Sequence, residues 1–478
     1  MLKSTFTPIF STFPTKSFTT LQKFPPFPTI TNTFTQSPQP VHQNASLTAP
    51  TTNPFHQHDH PPTSAYIHLP FCRKRCHYCD FPIVALGSSN PTETDPRISN
   101  YAELLQQEIL STKPNSDSYS PLQTVFFGGG TPSLVSPRIV SSILDTLKLK
   151  FGLCKNAEIS MEMDPGTFDD KKMEELMGLG VNRISLGVQA FQDELLKACG
   201  RAHGIEEVYQ AIEIIRSCGI GNWSLDLISS LPHQTPQMWE QSLSLTVQAQ
   251  PKHVSVYDLQ VEQETKFGIL YTPGEFPLPS EIQSADYYRM ASRMLSDAGY
   301  SHYEISSYCK DGFECKHNFI YWKNKPFYGF GLGSASYVNG VRFSRPRKMR
   351  EYMNYVQNLE NGTVDCSGNG NRDAKDLALD VVMLSFRTAR GLDLRSFADA
   401  FGSSLVYSLC KVYKPYIESR HMVGLDKERR AMTADEFNTL FTCEDEIGSR
   451  LAYIRLSDPD GFLLSNELIS LAFGVIAP

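Results

Sequence analysis

Three cysteines stand close together near the start of the regular part of the chain. Cys72, Cys76 and Cys79 fall within the stretch AYIHLPFCRKRCHYCDF, with three residues in the first gap and two in the second. The prolines and charged residues around them predict a loop at the end of a strand. Three thiolates from one loop can hold three irons of a [4Fe–4S] cluster and leave the fourth iron open to a small chelating ligand. The alternatives are a zinc site, for which no close fourth ligand is evident, a disulfide, or unligated thiols.

A glycine-rich turn and several polar residues follow predicted strands further along the chain. The glycines at 128–130 and Thr131 come directly after TVFF, where the missing side chains let backbone N–H groups approach a ligand. A tight turn between a strand and a helix is the alternative. Glu162 and Asp164 close the next predicted strand, where a carboxylate can accept hydrogen bonds from an ammonium or a ribose. For Asp164 a helix N-cap is the alternative.

A second group of residues that could do chemistry lies in the stretch ECKHNFIYW. His317 is followed there by Tyr321 and Trp322. An imidazole can ligate heme iron, and aromatic faces pack against a porphyrin. Cys315 is an alternative thiolate ligand, and an aromatic core cluster with one hydrogen-bonded histidine would give the same pattern. His68 either faces the cysteine loop or is itself a hydrogen-bonded core histidine.

The cysteine spacing resembles the signature of the radical S-adenosylmethionine (SAM) superfamily. The flanking YIHLPFC and YCDF narrow the resemblance to relatives of oxygen-independent coproporphyrinogen III dehydrogenase. The resemblance implies a [4Fe–4S] cluster on the three cysteines, whose open iron chelates the amine and carboxylate of SAM and whose electron can cleave the sulfonium. It also implies that Arg201 pairs with the SAM carboxylate and that Gln189 and Asp226 bind ribose hydroxyls. The full set of implied SAM contacts is Tyr66, Tyr78, Gly129, Gly130, Thr131, Glu162, Gln189, Arg201 and Asp226.

The pattern HN-x-x-YW, from His317 to Trp322, resembles the HemW-type heme chaperones within this group. That branch implies heme as a ligand with His317 as its candidate contact, heme-accepting proteins as partners, and an electron donor for the cluster. A monomer and a homodimer are both compatible with the sequence, and no catalytic residue is assigned.

The alternative function is that of the oxygen-independent coproporphyrinogen III dehydrogenases, which are oxidative decarboxylases of porphyrin biosynthesis. Those enzymes carry a further cysteine two residues after the third cluster ligand, where this chain has Phe81, and they lack HN-x-x-YW. Both features favour the chaperone. A radical SAM methyltransferase has no support beyond the shared core.

Strand-like and helical stretches alternate between residues 65 and 259. Apolar runs begin at 65, 124, 157, 183, 223 and 253, with helical patterns between them at 99–112, 136–150, 169–178, 204–218 and 235–249. This alternation predicts a parallel sheet covered by helices. Six strands are too few for a closed eight-stranded barrel, so the predicted fold class is α/β with an open, partial (β/α)6 barrel. The resemblance implies the same architecture, whose chemistry lies on loops at the strand carboxyl ends.

The predicted barrel occupies residues 61–300, and residues 301–372 carry HN-x-x-YW and a glycine-rich linker. From 373 to 478 the composition is mainly helical, with a predicted hairpin around Pro459, Asp460 and Gly461. Helices with a two-stranded wing resemble a winged-helix-like domain. Because its charge is not basic, we expect no nucleic-acid partner.

Residues 1–60 are expected to lie outside the fold. No Asp or Glu occurs from Met1 to His58, and Ser, Thr, Pro and Phe dominate, which is typical of an organellar transit peptide. The absence of arginine favours a chloroplast over a mitochondrion, and a disordered tail without an address is the alternative. The net charge of -7 argues against nucleic acids and anionic membranes as partners, and the eleven cysteines fit a reducing compartment. No run of apolar residues is long enough to predict a membrane span.

Overall fold

The structure is a computed structural model that describes residues 61–87, 95–113, 120–363, 373–440 and 450–477. The predicted leader at 1–60 lies outside the described residues. The strands are β1 Ser64–Leu69, β2 Phe71–Cys72, β3 Val84–Ala85, β4 Leu122–Gly129, β5 Leu153–Met163, β6 Arg183–Gln189, β7 Trp223–Ser229, β8 His253–Asp258, β9 Ser301–Glu304, β10 Ser307–Cys309, β11 Tyr328–Phe330, β12 Ala335–Val338, β13 Val341–Ser344, β14 Leu392–Asp393, β15 Met422–Leu425 and β16 Tyr453–Leu456. The helices are α1 Pro96–Ser111, α2 Pro137–Phe151, α3 Asp170–Gly178, α4 Asp193–Ala198, α5 Ile205–Ser217, α6 Pro236–Ala249, α7 Lys266–Leu270, α8 Glu281–Asp297, α9 Lys316–Trp322, α10 Met349–Glu360, α11 Ala374–Phe386, α12 Leu394–Phe401, α13 Ser403–Glu418, α14 Ala434–Thr439, α15 Asp460–Leu463 and α16 Ser465–Ile476.

The main sheet contains the six predicted strands side by side. Its strand order is β11-β1-β4-β5-β6-β7-β8-β10-β9. The strands from β1 to β8 in this order all pair parallel. β11 adds a parallel strand at one edge, and β10 and β9 add antiparallel strands at the other. Among the described strands the two edges do not pair with each other, so the predicted open, partial (β/α)6 barrel is confirmed.

The two faces of this sheet carry different side chains, because successive strand residues point to opposite faces. One face is apolar and packs under the helices into the larger hydrophobic core, with Ile67, Phe127, Met161, Leu186 and Leu225 fully buried. The opposite face, which we call the barrel interior, is largely polar. It carries Tyr66, His68, Glu158, Ser160, Glu162, Arg183, Ser185, Ser224, Asp226, His253 and Ser255.

The covering helices begin where the sequence signals a start. The hydroxyl of Thr235 accepts a hydrogen bond from the N–H of Met238, and Pro236 takes the first position of α6. Proline at this position costs no hydrogen bond, because the first N–H groups of a helix have no partner within the helix. The helix starts therefore fix where each polar loop at a strand carboxyl end stops.

The segment at 301–372, which is predicted to carry HN-x-x-YW and a glycine-rich linker, also contributes strands to the sheet. It supplies β9, β10 and β11, and β12 pairs with β13. The helix α10 adds Tyr352 and Val356 to the larger core. The glycines that suggested a turn-rich linker serve close packing instead, since a Cβ on Gly329 would collide with the backbone of Ala335.

The C-terminal portion is mainly helical, as predicted, and has its own hydrophobic core. Phe386, Phe397 and Tyr413 are fully buried there. The predicted hairpin around residues 459–461 is wrong, because β16 pairs with β15 and β14, and Asp460 begins α15. A carboxylate in the first turn is favourable there because it faces the positive end of the helix dipole. The boundaries at 300 and 372 stay predictions. No helix in the described ranges is long and apolar enough to cross a membrane.

Candidate functional site

The three cysteines lie on one loop at the carboxyl end of β1. Cys72 belongs to β2, and its pairing with β3 closes the loop. Within the loop the N–H of Cys79 donates to the carbonyl oxygen of Cys76 at 3.2 Å. The Nη1 of Arg75 donates to the carbonyl oxygens of Cys79 at 3.1 Å and Phe81 at 2.9 Å. The guanidinium therefore fixes the backbone around the third cysteine.

The thiols are half-buried and lie near one another. Burial, together with the charges of the other thiols, raises the pKa of Cys72 to about 12 and that of Cys79 to about 11. The hydroxyl of Thr131 donates to the Sγ of Cys72 at 3.6 Å, and Arg201 donates to the Sγ of Cys76 at 3.4 Å. Three thiolates in this place need a bound cation, which iron would supply, so the donor set fits a [4Fe–4S] cluster.

In the part of the chain that the structure describes, no group of three or more His, Cys, Asp or Glu side chains is arranged to hold one metal ion. A cubane cluster does not need that arrangement, because each of its irons takes one cysteine.

The glycine turn at the end of β4 packs directly against β1 and the start of the cysteine loop. Gly129 has a φ of +109°, and an added Cβ would lie 2.5 Å from the ring of His68. A Cβ on Gly130 would lie 2.6 Å from the backbone of Pro70. The N–H of Gly129 donates to the Oε2 of Glu162 at 3.1 Å. Glycine is required here by close packing, and at Gly129 also by backbone conformation.

Glu162 faces a second carboxylate across the barrel interior. Burial raises the pKa of Glu162 to about 7, and the negative charge of Asp226 adds to that effect. Asp226 is 5% exposed and accepts hydrogen bonds from the hydroxyls of Ser185 at 2.8 Å and Ser224 at 2.9 Å. Burial and the charge of Glu162 raise the pKa of Tyr66. Two facing carboxyl groups favour a ligand that brings an ammonium or hydroxyl groups.

Arg201 is buried between the cysteine loop and the end of β5. It forms a close ion pair with Asp164 and donates to the hydroxyl of Tyr78 at 3.1 Å and the carbonyl oxygen of Gly187 at 3.0 Å. The Nδ1 of His203 lies 3.5 Å from the same carboxylate. Burial alone would raise the pKa of Asp164, but the charge of Arg201 holds that pKa below its usual range.

Gln189 ends β6 in a left-handed conformation with a φ of +70°. This conformation is uncommon for residues with a Cβ and persists only where the surroundings impose it. The side-chain amide lies over Gly187, to which Arg201 is bound. The structure thus brings the nine predicted SAM residues together at or beside the carboxyl ends of β1, β4, β5, β6 and β7. Their contacts with SAM stay a prediction.

His317 lies toward the amino end of the barrel interior. Its Nδ1 is 2.9 Å from the hydroxyls of both Ser64 and Thr124, and its Nε2 is 2.8 Å from the hydroxyl of Tyr321. The residue is 1% exposed, and burial lowers its pKa to about 3, so the imidazole is neutral. This placement matches the alternative of a hydrogen-bonded core histidine. Heme ligation by His317 stays a prediction.

Two other candidates are also enclosed. The Nε2 of His68 lies 3.1 Å from the carbonyl oxygen of Pro82, and burial lowers the pKa of His68 to about 4. The residue is therefore a core histidine that packs on the glycine turn. Cys315 is fully buried, with its Sγ 3.9 Å from the Oε1 of Glu158.

Two charged residues matter more to the site than the sequence indicated. Asp164 is not the helix cap that its position also suggests, because Asp169 caps α3 and Asp164 pairs with Arg201. Arg183 is 2% exposed in the barrel interior, beside Glu158. A polar residue at alternate positions of an otherwise apolar strand was the available signal, because it marks a side chain on the inner face.

An open parallel sheet with a three-cysteine loop after its first strand and a glycine turn after its second defines a radical SAM protein. The model of the radical SAM superfamily matches residues 66–246. The solved structure of coproporphyrinogen III oxidase (HemN) from Escherichia coli superposes with a TM-score of 0.68 at 20% identity, covering 87% of this chain and 91% of that one. The two proteins therefore share a fold.

Sequence similarity to curated proteins is more specific. The heme chaperone HemW of Synechocystis sp. is 40% identical over 415 residues, which are 87% of this chain and 97% of the relative. HemW of Bacillus subtilis is 33% identical over 72% of this chain and 88% of its own length. The chain belongs to the HemW family of the radical SAM superfamily. Membership implies a [4Fe–4S] cluster, SAM and heme as ligands.

Proposed function

We propose that this protein is a heme chaperone that binds heme and transfers it to acceptor proteins while carrying a [4Fe–4S] cluster and SAM. The observation that carries the proposal is the 40% identity along 97% of the Synechocystis heme chaperone. A similarity of that extent reaches well beyond the superfamily core at residues 66–246. It is therefore a similarity to the chaperone as a whole.

In this proposal the three cysteines of the loop hold the cluster, whose open iron binds SAM. The bound cluster supplies an electron that can cleave the sulfonium of SAM. In this proposal Glu162 would bind the ammonium of SAM, and Arg201 would bind its carboxylate. Arg201 is already paired with Asp164, but a guanidinium has five N–H donors and can serve two carboxylates.

The second candidate function is oxidative decarboxylation of coproporphyrinogen III, since HemN shares this fold. Phe81 stands where that enzyme group carries a further cysteine, and its carbonyl oxygen accepts a hydrogen bond from Arg75. A phenyl ring supplies neither a thiol nor a proton. We therefore place the decarboxylase second.

The test is an anaerobic reconstitution of the full chain with iron and sulfide, followed by two parallel assays. One titrates ferric heme and then measures its transfer to a heme-free b-type cytochrome, and the other follows coproporphyrinogen III and its products. We expect heme binding and transfer without decarboxylation. Production of protoporphyrinogen IX, or an absence of heme binding, would refute the proposal.

We also propose that an acidic electron donor reduces the cluster from the side of the cysteine loop. Support comes from Lys74 and Arg75, which are exposed there on a chain whose net charge is -7. Reduction by a plant-type ferredoxin should slow several-fold in Lys74→Glu, while reduction by dithionite should not change. Equal slowing of both reactions would contradict the proposal that the donor binds at this surface.

The oligomeric state is a separate question. Sedimentation of the same samples would separate a monomer from a homodimer.

For localisation we propose the chloroplast, with the mitochondrion as the alternative. The support is the composition of residues 1–60, which is rich in Ser and Thr and free of Arg. A fusion of residues 1–60 to a fluorescent protein tests this directly in plant cells. Fluorescence in the cytosol would refute targeting to either organelle.

A further inference from the structure

The histidines in the described part of the chain differ in what their ring nitrogens contact. Seven of the eight have a ring nitrogen within hydrogen-bond distance of another protein group: His68, His77, His203, His253, His302, His317 and His421. His233 is the exception. It is exposed, and within the described residues neither of its ring nitrogens has a hydrogen-bond partner. The imidazole is therefore open to a ligand from solution.

His233 lies on the loop between β7 and α6. This loop follows the strand that carries Asp226, so His233 stands on the same rim of the barrel as the predicted SAM residues. Its φ is +65°, a left-handed conformation that is uncommon for a residue with a Cβ. The N–H of His233 donates to the carbonyl oxygen of Pro277 at 2.7 Å, which fixes the turn. The imidazole is thus held in place by its backbone while the ring stays open.

Two large apolar side chains are exposed on the segment that leads into and starts α8. The ring of Phe276 meets the imidazole edge-on, with centroids 5.3 Å apart, and Phe276 is 86% exposed. Ile282, in the first turn of α8, is 77% exposed. The hydroxyls of Ser230 and Ser284 hydrogen-bond at 2.9 Å and join the start of α8 to the His233 loop. The exposed Phe276 ring, packed against the open imidazole, therefore places an apolar surface next to a nitrogen donor.

We propose that His233 ligates the iron of bound heme and that Phe276 and Ile282 contact the face of its porphyrin. This inference rests on the proposed heme-chaperone function and names the site. An imidazole nitrogen can ligate heme iron and an apolar surface can cover its macrocycle, and this part of the rim offers both. An exposed site also suits a chaperone, because an acceptor protein must reach the heme to take it.

The buried His317 is less accessible to heme than His233. To ligate iron through Nε2 it would have to leave the hydroxyl of Tyr321, although Nδ1 could keep its contacts with Ser64 and Thr124. Because the residue is 1% exposed, heme could reach it only if the groups around it moved. His233 needs no such rearrangement. The two histidines can therefore be distinguished by substitution.

The experiment titrates ferric heme into the full chain and records affinity and absorbance spectrum. All variants carry alanine at the four histidines of residues 1–60, so that these cannot contribute. His233→Ala should weaken heme binding by about tenfold or more, and its absorbance spectrum should no longer show an imidazole ligand on the iron. Free imidazole should restore the parent spectrum, because it fills the place of the missing ring. Phe276→Ala should weaken binding several-fold without changing the ligation.

His421→Ala is the matched control, because His421 is half-buried and its Nδ1 is bound to the hydroxyl of Ser419 at 2.9 Å. It should change neither affinity nor spectrum. An unchanged spectrum and affinity in His233→Ala would overturn the inference. The inference would also be overturned if His317→Ala lost the imidazole ligand of the iron to the same extent as His233→Ala and free imidazole failed to restore the spectrum of His233→Ala. If the parent protein binds no heme at all, the proposed function itself fails, which is a separate result.

Discussion

Replacing Glu162 with glutamine should make the SAM-free protein more stable at neutral and higher pH while weakening its binding of SAM. The side chain lies in the barrel interior, where burial and the charge of Asp226 raise its pKa from 4.5 to about 7. Tyr66 and Tyr257 face the same group without offering a positive charge. The N–H of Gly129 donates to it, and a glutamine carbonyl can accept the same hydrogen bond.

The sign of the pH dependence follows from the raised pKa. Between pH 4.5 and 7 the folded state keeps a proton that the unfolded state has lost, so the contribution of Glu162 to stability falls as pH rises. The difference of about 2.5 between the two pKa values corresponds to roughly 3 kcal/mol at pH 8 and to less than about 1 kcal/mol at pH 5. Glu162→Gln removes this cost, and its gain in stability should therefore grow with pH.

Thermal unfolding of the SAM-free protein at pH 5 and pH 8 measures the first effect, and calorimetric titration with SAM measures the second. The variant should bind SAM about tenfold more weakly at pH 8, because it offers no negative charge to the ammonium. Glu103→Gln, an exposed change on α1, is the control and should alter neither quantity. A Glu162→Gln protein that is less stable at pH 8, or whose gain does not depend on pH, would refute the reasoning.

Three further predictions concern the same rim of the barrel. Gly129→Ala should destabilise the protein by about 2–4 kcal/mol in denaturant unfolding, because the added Cβ meets the ring of His68 at a φ of +109°; stability equal to the parent would contradict the packing argument. Asp164→Asn should cost about 3 kcal/mol, because it leaves the buried guanidinium of Arg201 without its charge partner, and Arg201→Met in the same protein should recover part of the loss. Cys79→Ser should lower the iron and sulfide content after reconstitution while circular dichroism stays unchanged, and full cluster content would rule this cysteine out as a ligand.

The fold was predictable from the sequence where local patterns decide it. The six parallel strands and the helices between them follow from apolar runs, prolines and glycines that act over a few residues, as at Thr235 and Pro236. The strands β9, β10 and β11 could not be predicted, because a strand of three or four residues has too short a pattern to recognise, and in β11 a glycine also suggests a turn. Gly329 is an example, because its lack of a Cβ leaves room for the backbone of Ala335, and this contact cannot be predicted from the local sequence.

Some features of the site can likewise be predicted from the sequence, and others cannot. The strand carboxyl ends, and so the grouping of Glu162, Gln189 and Asp226, follow from topology. The partner of Asp164 could not be predicted, because it depends on how the loop after α4 returns to the cysteine loop. The enclosure of His317 likewise depends on α9 closing the interior against Ser64 and Thr124. Such contacts join residues that are far apart in sequence and leave no local pattern.

The barrel interior contributes little to the stability of the ligand-free fold. In the described residues, buried Ser160, Arg183 and Glu304 each have a side-chain atom with no hydrogen-bond partner, and Glu162 carries a raised pKa. Each of these features costs free energy, whereas the two apolar cores stabilise the fold from outside the interior. Ligands that supply the missing positive charge and hydrogen bonds should therefore stabilise the protein, by about 2.7 kcal/mol for SAM at one hundred times its Kd. A cluster-loaded protein whose unfolding midpoint does not respond to saturating SAM would show that SAM does not bind this interior.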